Sequence, residues 1–278
     1  MTSLGHSNRE IASRQQPGIA LRQQLSGNQV PEGFVGQSPA KVFLRAEWRH
    51  LAMLNYEIEP ATLSPFVPAK TELDSWKGKT LVSVVGFLFL ETRICGIPLP
   101  FHRNFEEVNL RFYVRRQADD GWRRGVVFIR EIVPRAAIAF TARTLYNEPY
   151  LALPMAHRIE AESDSLHSVE YAWRFGGRQN NLKLTVRGEA QPWRAGSEAE
   201  FITEHYWGYN TQRDGSTMEY RVEHPRWRVW DAESAQLRCD VAELYGPQFK
   251  ECLSHPPSSA FLAEGSSVTV YRGIRLPA

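Results

Sequence analysis

The chain has 278 residues, with 33 basic and 31 acidic side chains and a net charge of +2. That balance excludes a broad nucleic-acid footprint, which needs clustered cations to displace counterions. No stretch reaches the roughly 18 consecutive apolar residues of a membrane-spanning helix, so no membrane span is expected. Residues 1–40 are rich in Gln, Gly, Ser, Arg and Pro without a sustained apolar period. Such a segment cannot bury enough surface to offset its ordering entropy, so a disordered or loosely ordered tail is expected there. It also lacks the apolar core of a signal peptide. Residues 41–278 are expected to form a single domain.

Strand character begins at Lys41 and runs through VFLRAEWRHLAMLNYEI. PATLSPF reads as about one helical turn. TLVSVVGFLFL, residues 80–90, is almost continuously apolar, which suits a strand buried on both faces or lining a barrel, and its Gly86 marks a bulge or a close backbone approach. In EVNLRFYVR the alternation is strict. Val108, Leu110, Phe112 and Val114 take one face; Glu107, Asn109, Arg111 and Tyr113 take the other. Asp120-Gly121 signals a hairpin that returns the chain into Trp122–Ile132. Pro134 then opens an alanine-rich helical segment, since a missing N–H costs nothing in a first helical turn. That segment ends in the cluster Arg143, Tyr146, Asn147, Glu148, Pro149 and Tyr150, a candidate pocket floor.

Further strands are expected at residues 156–162, 169–175 and 182–187, with a hairpin turn at Gly176-Gly177. Ser197 and Glu200 have capping-box spacing and start a short helix at EAEFIT. With Asp214-Gly215 as a two-residue turn, Tyr209 would face Tyr220, and His205 would face His224. Glu219 would fall on the wetter side of that hairpin. The two histidines then read as an acid/base pair, or as a structural pair at a sheet end. Without a third ligand at readable spacing they do not define a metal site. ELYGPQFKECL is a short helix, and residues 267–274 form a last strand. The fold class is mainly β (α+β), closed or sandwiched, with a few short helices.

The three cysteines, Cys95, Cys239 and Cys252, have no metal-type spacing and fit a reducing compartment, so a cytoplasmic location is expected. The chain carries no glycine-rich phosphate loop, and no cofactor and no metal are expected. Homo-oligomerisation is left open.

EEVNLRFYV, GVVFIREIV, TARTLYNEPY, EFITEHYWGY and LAEGSSVTVYRG together resemble the YqjF-like family of uncharacterised bacterial proteins, from about Lys41 to Leu276. That family is similar to acetoacetate decarboxylase, which implies a β-barrel around a small cavity. The decarboxylases carry an aromatic-x-Glu-Val strand, matched here by Phe105-Glu106-Glu107-Val108. Their Schiff-base lysine and its neighbour are replaced by Tyr150 and Leu151. Without an amine there is no iminium, so that route to decarboxylation is closed.

The sequence therefore points to a barrel that binds a small organic ligand with a carboxylate or carbonyl group. Arg143 would be its anion anchor, paired with Glu107, while Asn109, Arg111, Asn147 and Tyr209 would line the site. An acid/base enzyme (lyase, isomerase or hydrolase) would use Glu107, Tyr150 and His205 or His224. A structural protein with a filled interior is the third reading.

Overall fold

The computed structural model describes residues 41–98, 103–134, 147, 149–162 and 165–276. Arg143 and the alanine-rich segment after Pro134 lie outside the described residues, as do residues 1–40. Strands dominate. In chain order they are β1 (Val42–Glu57), β2 (Glu72–Leu73), β3 (Leu81–Ile94), β4 (Ile97–Pro98), β5 (Phe105–Ala118), β6 (Gly121–Val133), β7 (Tyr150–Ala152) and β8 (Met155–Glu162). There follow β9 (Ser165–Phe175), β10 (Arg178–Val186), β11 (Gln191–Pro192), β12 (Trp207–Thr211), β13 (Thr217–Glu223), β14 (Arg228–Arg238), β15 (Ser259–Tyr271) and β16 (Ile274–Leu276). The helices are short: Pro60–Leu63, Glu198–Thr203, Val241–Leu244 and Lys250–Ser254. Ser197 caps Glu198–Thr203, its hydroxyl accepting from the Glu200 amide at 3.2 Å.

Pairing runs β12–β6–β5–β3–β1–β15, and β13 pairs with both β12 and β15. The long strand β14 leaves this path. Val229–Asp231 pair with β15, and residues 232–238 pair with β10, which continues to β9 and β8.

Two apolar cores follow from the alternation along each strand. Ala52, Leu54, Val84, Leu110 and Phe112 face one way and meet Tyr171, Trp173, Leu182 and Leu184 of β9 and β10. Met53, Val85, Phe87, Tyr113 and Val126 face the other way, with Phe201, Trp227 and Phe261. β3 is therefore buried on both faces, as its continuous apolar run implies. Gly86 lets the layers touch, since a Cβ there would lie 2.5 Å from the Tyr171 ring.

Two turns differ from expectation by one residue. β5 and β6 close on Ala118↔Gly121, so Asp119-Asp120 form the turn and Gly121 (φ 112°) is the first residue of β6. Between β12 and β13 the loop holds three residues, Arg213–Gly215, closed by the Gln212 amide on the Ser216 carbonyl. Gly215 takes φ 80°, which its missing Cβ allows at little cost. The register is Tyr209↔Glu219 and Trp207↔Arg221 rather than Tyr209 with Tyr220. A one-residue slip moves every side chain of one strand to the opposite face relative to its partner.

Gly265 is the tightest backbone contact. It has φ 78°, and a Cβ there would lie 2.0 Å from the Trp48 carbonyl oxygen. Gly265→Ala combines a left-handed backbone, costing about 1–3 kcal/mol for a residue with a side chain, with a clash that only backbone movement relieves. A thermal melt should show a clear loss of stability; an unchanged midpoint would mean that β1 and β15 separate freely here.

Candidate functional site

The face of the main sheet that carries Met53, Val85 and Tyr113 also carries most of the buried polar groups. β5 supplies Glu107, Asn109 and Arg111 from alternate positions. This strand is paired on both sides, to β3 and β6, so it is not an edge strand, and the burial of Glu107 and Asn109 shows that its polar face turns into the protein. Glu107 and Asn109 are 2% and 1% exposed. The Asn109 amide donates to Glu107 Oε1 at 3.0 Å, and the Tyr150 hydroxyl donates to Glu107 Oε2 at 3.2 Å. Burial pushes the Glu107 carboxyl up to about 7, against these two hydrogen bonds and the Arg111 charge.

β6 brings a second acid to the same face. A bulge in the β5–β6 pairing, between Leu110 and Arg111, shifts the phase of β6 beyond Phe128. Glu131 thereby stands opposite Asn109 and beside Tyr150 of β7, and it is 2% exposed. Simple alternation from Val126 would have put Glu131 on the opposite face.

Arg111 is the cation of this face. Its Nη2 approaches the Met53 sulfur at 3.9 Å, and its guanidinium lies 5.8 Å from the centre of the Tyr113 ring. Its Nε is buried with no hydrogen-bond partner. Among the described residues, no carboxylate lies within 4 Å of it, although the chain holds many such pairs.

His205 follows the helix Glu198–Thr203 and lies before β12, outside the hairpin register. Its ring packs on Tyr113 at 4.7 Å and Phe201 at 5.1 Å. His205 Nε2 lies 3.4 Å from Asp74 Oδ2, long for a hydrogen bond. Arg124 Nε donates to the same carboxylate oxygen at 2.7 Å. Burial would raise the Asp74 carboxyl, but His205 and Arg124 together hold it at about 2. Burial pushes the His205 imidazole down to about 4, opposed by Asp74 and reinforced by Arg124 and Arg111.

His224 lies against the same core, beside Trp227, but apart from His205. It stacks on Trp227 at 4.1 Å and Tyr206 at 4.9 Å, with Nδ1 2.9 Å from the Pro225 carbonyl. Burial lowers it to about 4 as well, opposed by the Pro225 carbonyl and reinforced by the Arg111 charge. The two histidines do not face each other, because His205 is in a loop and the hairpin register is shifted. Tyr209 belongs to the opposite core: its ring lies over Gly125, and its hydroxyl donates to the Arg123 carbonyl at 3.3 Å. Asn147 (φ 55°) donates to the Thr211 carbonyl at 2.9 Å, at the end of β12. Glu219, expected on the wetter side, is 1% exposed.

The inner face thus gathers Glu107, Asn109, Arg111, Tyr150 and His205 beside Glu131 and Asp74, which the sequence did not mark. It holds proton donors and acceptors and a cation. Among the described residues no cluster of three or more His, Cys, Asp or Glu could hold a metal ion. Burial raises the thiols of Cys239 and Cys252 to about 12 and about 11, unlike a nucleophile.

The mainly β fold is similar to that of acetoacetate decarboxylase and related enzymes. Acetoacetate decarboxylase from Legionella pneumophila has TM-score 0.58 at 14% identity, covering 91% of this chain and 98% of that one. The enduracididine biosynthesis enzyme MppR has TM-score 0.61 with HEPES bound, at 12% identity over 88% of this chain and 90% of that one. MppR has also been solved with pyruvate (TM-score 0.60, 11% identity, 88% of this chain and 93% of that chain). The chain belongs to the DUF2071 family of uncharacterized conserved proteins, whose pattern matches residues 45–267. It is 26% identical over 210 residues to the uncharacterized protein YqjF of Bacillus subtilis, covering 73% of this chain and 81% of that protein.

Proposed function

We propose that the inner face of the main sheet is the wall of a closed β-barrel that binds a small organic carboxylate, with Arg111 as its anchor. Closure is supported by β13, which pairs with β12 at one end of the path and β15 at the other. The observation that carries the ligand class is Arg111. A guanidinium with a buried, unbonded Nε and a thioether as its nearest partner is under-coordinated. A carboxylate satisfies such a group with two parallel, charge-assisted bonds. Phe87 stands opposite Glu107 in the sheet, and Trp48 packs on Phe87 at 5.4 Å, so an apolar wall adjoins the polar one. MppR, with pyruvate bound in a similar fold, supports a small acid as ligand. The test is calorimetric titration of wild type and Arg111→Met with propionate and pyruvate. Saturable binding by wild type and none by the variant is expected; equal affinity in both would remove Arg111 from the site.

Glu107 and Tyr150 favour a second reading, acid/base chemistry on the bound ligand. A carboxyl near neutrality, hydrogen-bonded to a phenol, can hold or release a proton at physiological pH. The same shift has a consequence for stability. Because the folded-state value is raised, Glu107 favours folding fully below about 4.5, and that contribution is lost as pH rises through about 7. Glu107→Gln should flatten this part of the pH–stability curve and melt higher than wild type at pH 8. If the two curves keep the same slope between pH 5 and 8, Glu107 is ionised throughout and is not a proton donor.

A further inference from the structure

Beside Arg111 the inner face holds two buried acceptors with no donor. Asn109 Oδ1 is buried without a hydrogen-bond partner, because the amide nitrogen is turned to Glu107. Both ring nitrogens of His205 are buried without a hydrogen-bond partner, Nε2 standing 3.4 Å from Asp74 Oδ2 and Nδ1 having no carboxylate within 4 Å among the described residues. Asp74, fixed by Arg124, faces Nε2 and so favours the proton on that nitrogen. The neutral ring then presents the Nδ1 lone pair. Burial keeps the ring uncharged at neutral pH, as do the adjacent guanidinium groups.

These groups lie close together. Asn109 and Arg111 are alternate residues on one face of β5. Arg111 and His205 share the Tyr113 ring, the guanidinium at 5.8 Å and the imidazole at 4.7 Å. Tyr113 itself is committed elsewhere, its hydroxyl 2.6 Å from Ser83 Oγ. Ser83 in turn donates to Asn55 Oδ1 at 2.7 Å. The polar groups around Tyr113 are therefore satisfied by one another, while Arg111 Nε, Asn109 Oδ1 and His205 Nδ1 are not.

A buried acceptor left without a donor loses its hydration and gains nothing in return. What complements this set is one anion carrying hydrogen-bond donors. We infer that the ligand is a hydroxycarboxylate, its carboxylate on Arg111 and its hydroxyl donating to His205 Nδ1 or Asn109 Oδ1. The inference rests on the reading of Arg111 as the carboxylate anchor and adds the group that selects among carboxylates. Asp74 acts through His205 and is a positioning residue. An oxo acid of the same length offers only acceptors and leaves both groups unmatched.

The test is a titration series of propionate, pyruvate, 2-hydroxypropionate and 3-hydroxypropionate against wild type, His205→Phe and His205→Gln. The Phe variant keeps an aromatic ring between Tyr113 and Phe201; Gln retains polarity if Phe fails to fold. At least one hydroxy acid is expected to bind wild type about tenfold or more tightly than propionate, with pyruvate no better than propionate. In His205→Phe that preference should shrink severalfold while propionate affinity persists. Binding of 2-hydroxypropionate should also shift the Nδ1 nitrogen resonance of His205. If all four acids bind wild type within twofold of one another, the hydroxycarboxylate assignment falls and the carboxylate site stands. If none binds, the carboxylate reading itself is overturned, and this inference with it.

Discussion

Glu219→Ala is expected to be among the most damaging single substitutions in the chain. The Glu219 side chain is fully buried and receives three charge-assisted bonds. Arg116 grips it with Nε at 2.6 Å and Nη2 at 3.1 Å, and Arg123 Nη1 reaches it at 2.5 Å. Arg123 is held from its other side by Asp120, at 3.0 and 2.9 Å, and lies over the Trp207 ring at 4.3 Å. Removing the central carboxylate leaves two largely buried guanidinium groups sharing one partly exposed acid. Breaking a buried pair from one side costs about 3–5 kcal/mol. At roughly 2–4 °C per kcal/mol for a chain of this size, the midpoint should fall by on the order of 10 °C. Replacing the whole set with apolar residues, Glu219→Met with Arg116→Leu and Arg123→Met, should recover much of the loss, because no orphan charge remains. A Glu219→Ala variant that melts with wild type would mean that water reaches this network freely.

Arg111→Met is expected to act with the opposite sign on stability and a large effect on binding. Among the described residues Arg111 has no ion-pair partner and its buried Nε has no hydrogen bond, so folding bears a desolvation cost that no salt bridge offsets. A methionine of similar length would pack against Met53 and Tyr113, and a gain of about 0.5–2 kcal/mol is the scale seen when a functional strain is removed. The same change removes the two guanidinium bonds proposed to hold a carboxylate. Two charge-assisted hydrogen bonds at about 1.5–3 kcal/mol each correspond to a loss of on the order of a hundredfold or more in affinity. Higher stability with lost binding separates a ligand anchor from a structural arginine; loss of both would make Arg111 a structural residue.

Much of this architecture is legible in the sequence where a single period governs. Strict alternation in β5 puts Glu107, Asn109, Arg111 and Tyr113 together, and the long apolar run of β3 implies burial on both sides. The Ser197 capping box places its helix correctly. What the sequence does not show arises where periodicity is interrupted. The β6 bulge turns Glu131 inward, and nothing in GVVFIREIV marks the extra residue. A three-residue loop with Gly215 in a left-handed conformation looks the same in sequence as a two-residue turn, and that extra residue, together with the loop position of His205, separates His205 from His224. It also sends Tyr209 into the opposite core and buries Glu219 between two arginines. Asp74 lies in a short polar stretch after β2, and only the tertiary fold brings it to His205.

The proposed function requires a small carboxylate held inside the sheet on Arg111. Diffraction from crystals soaked with 2-bromopropionate tests this directly, because anomalous scattering locates the bromine without reference to any assumed pose. The expected result is one strong internal peak beside Tyr113, with carboxylate oxygens about 2.7–2.9 Å from the Arg111 guanidinium, as in charge-assisted pairs. Bromine confined to the protein surface, with Arg111 still turned to the Met53 sulfur, would contradict it.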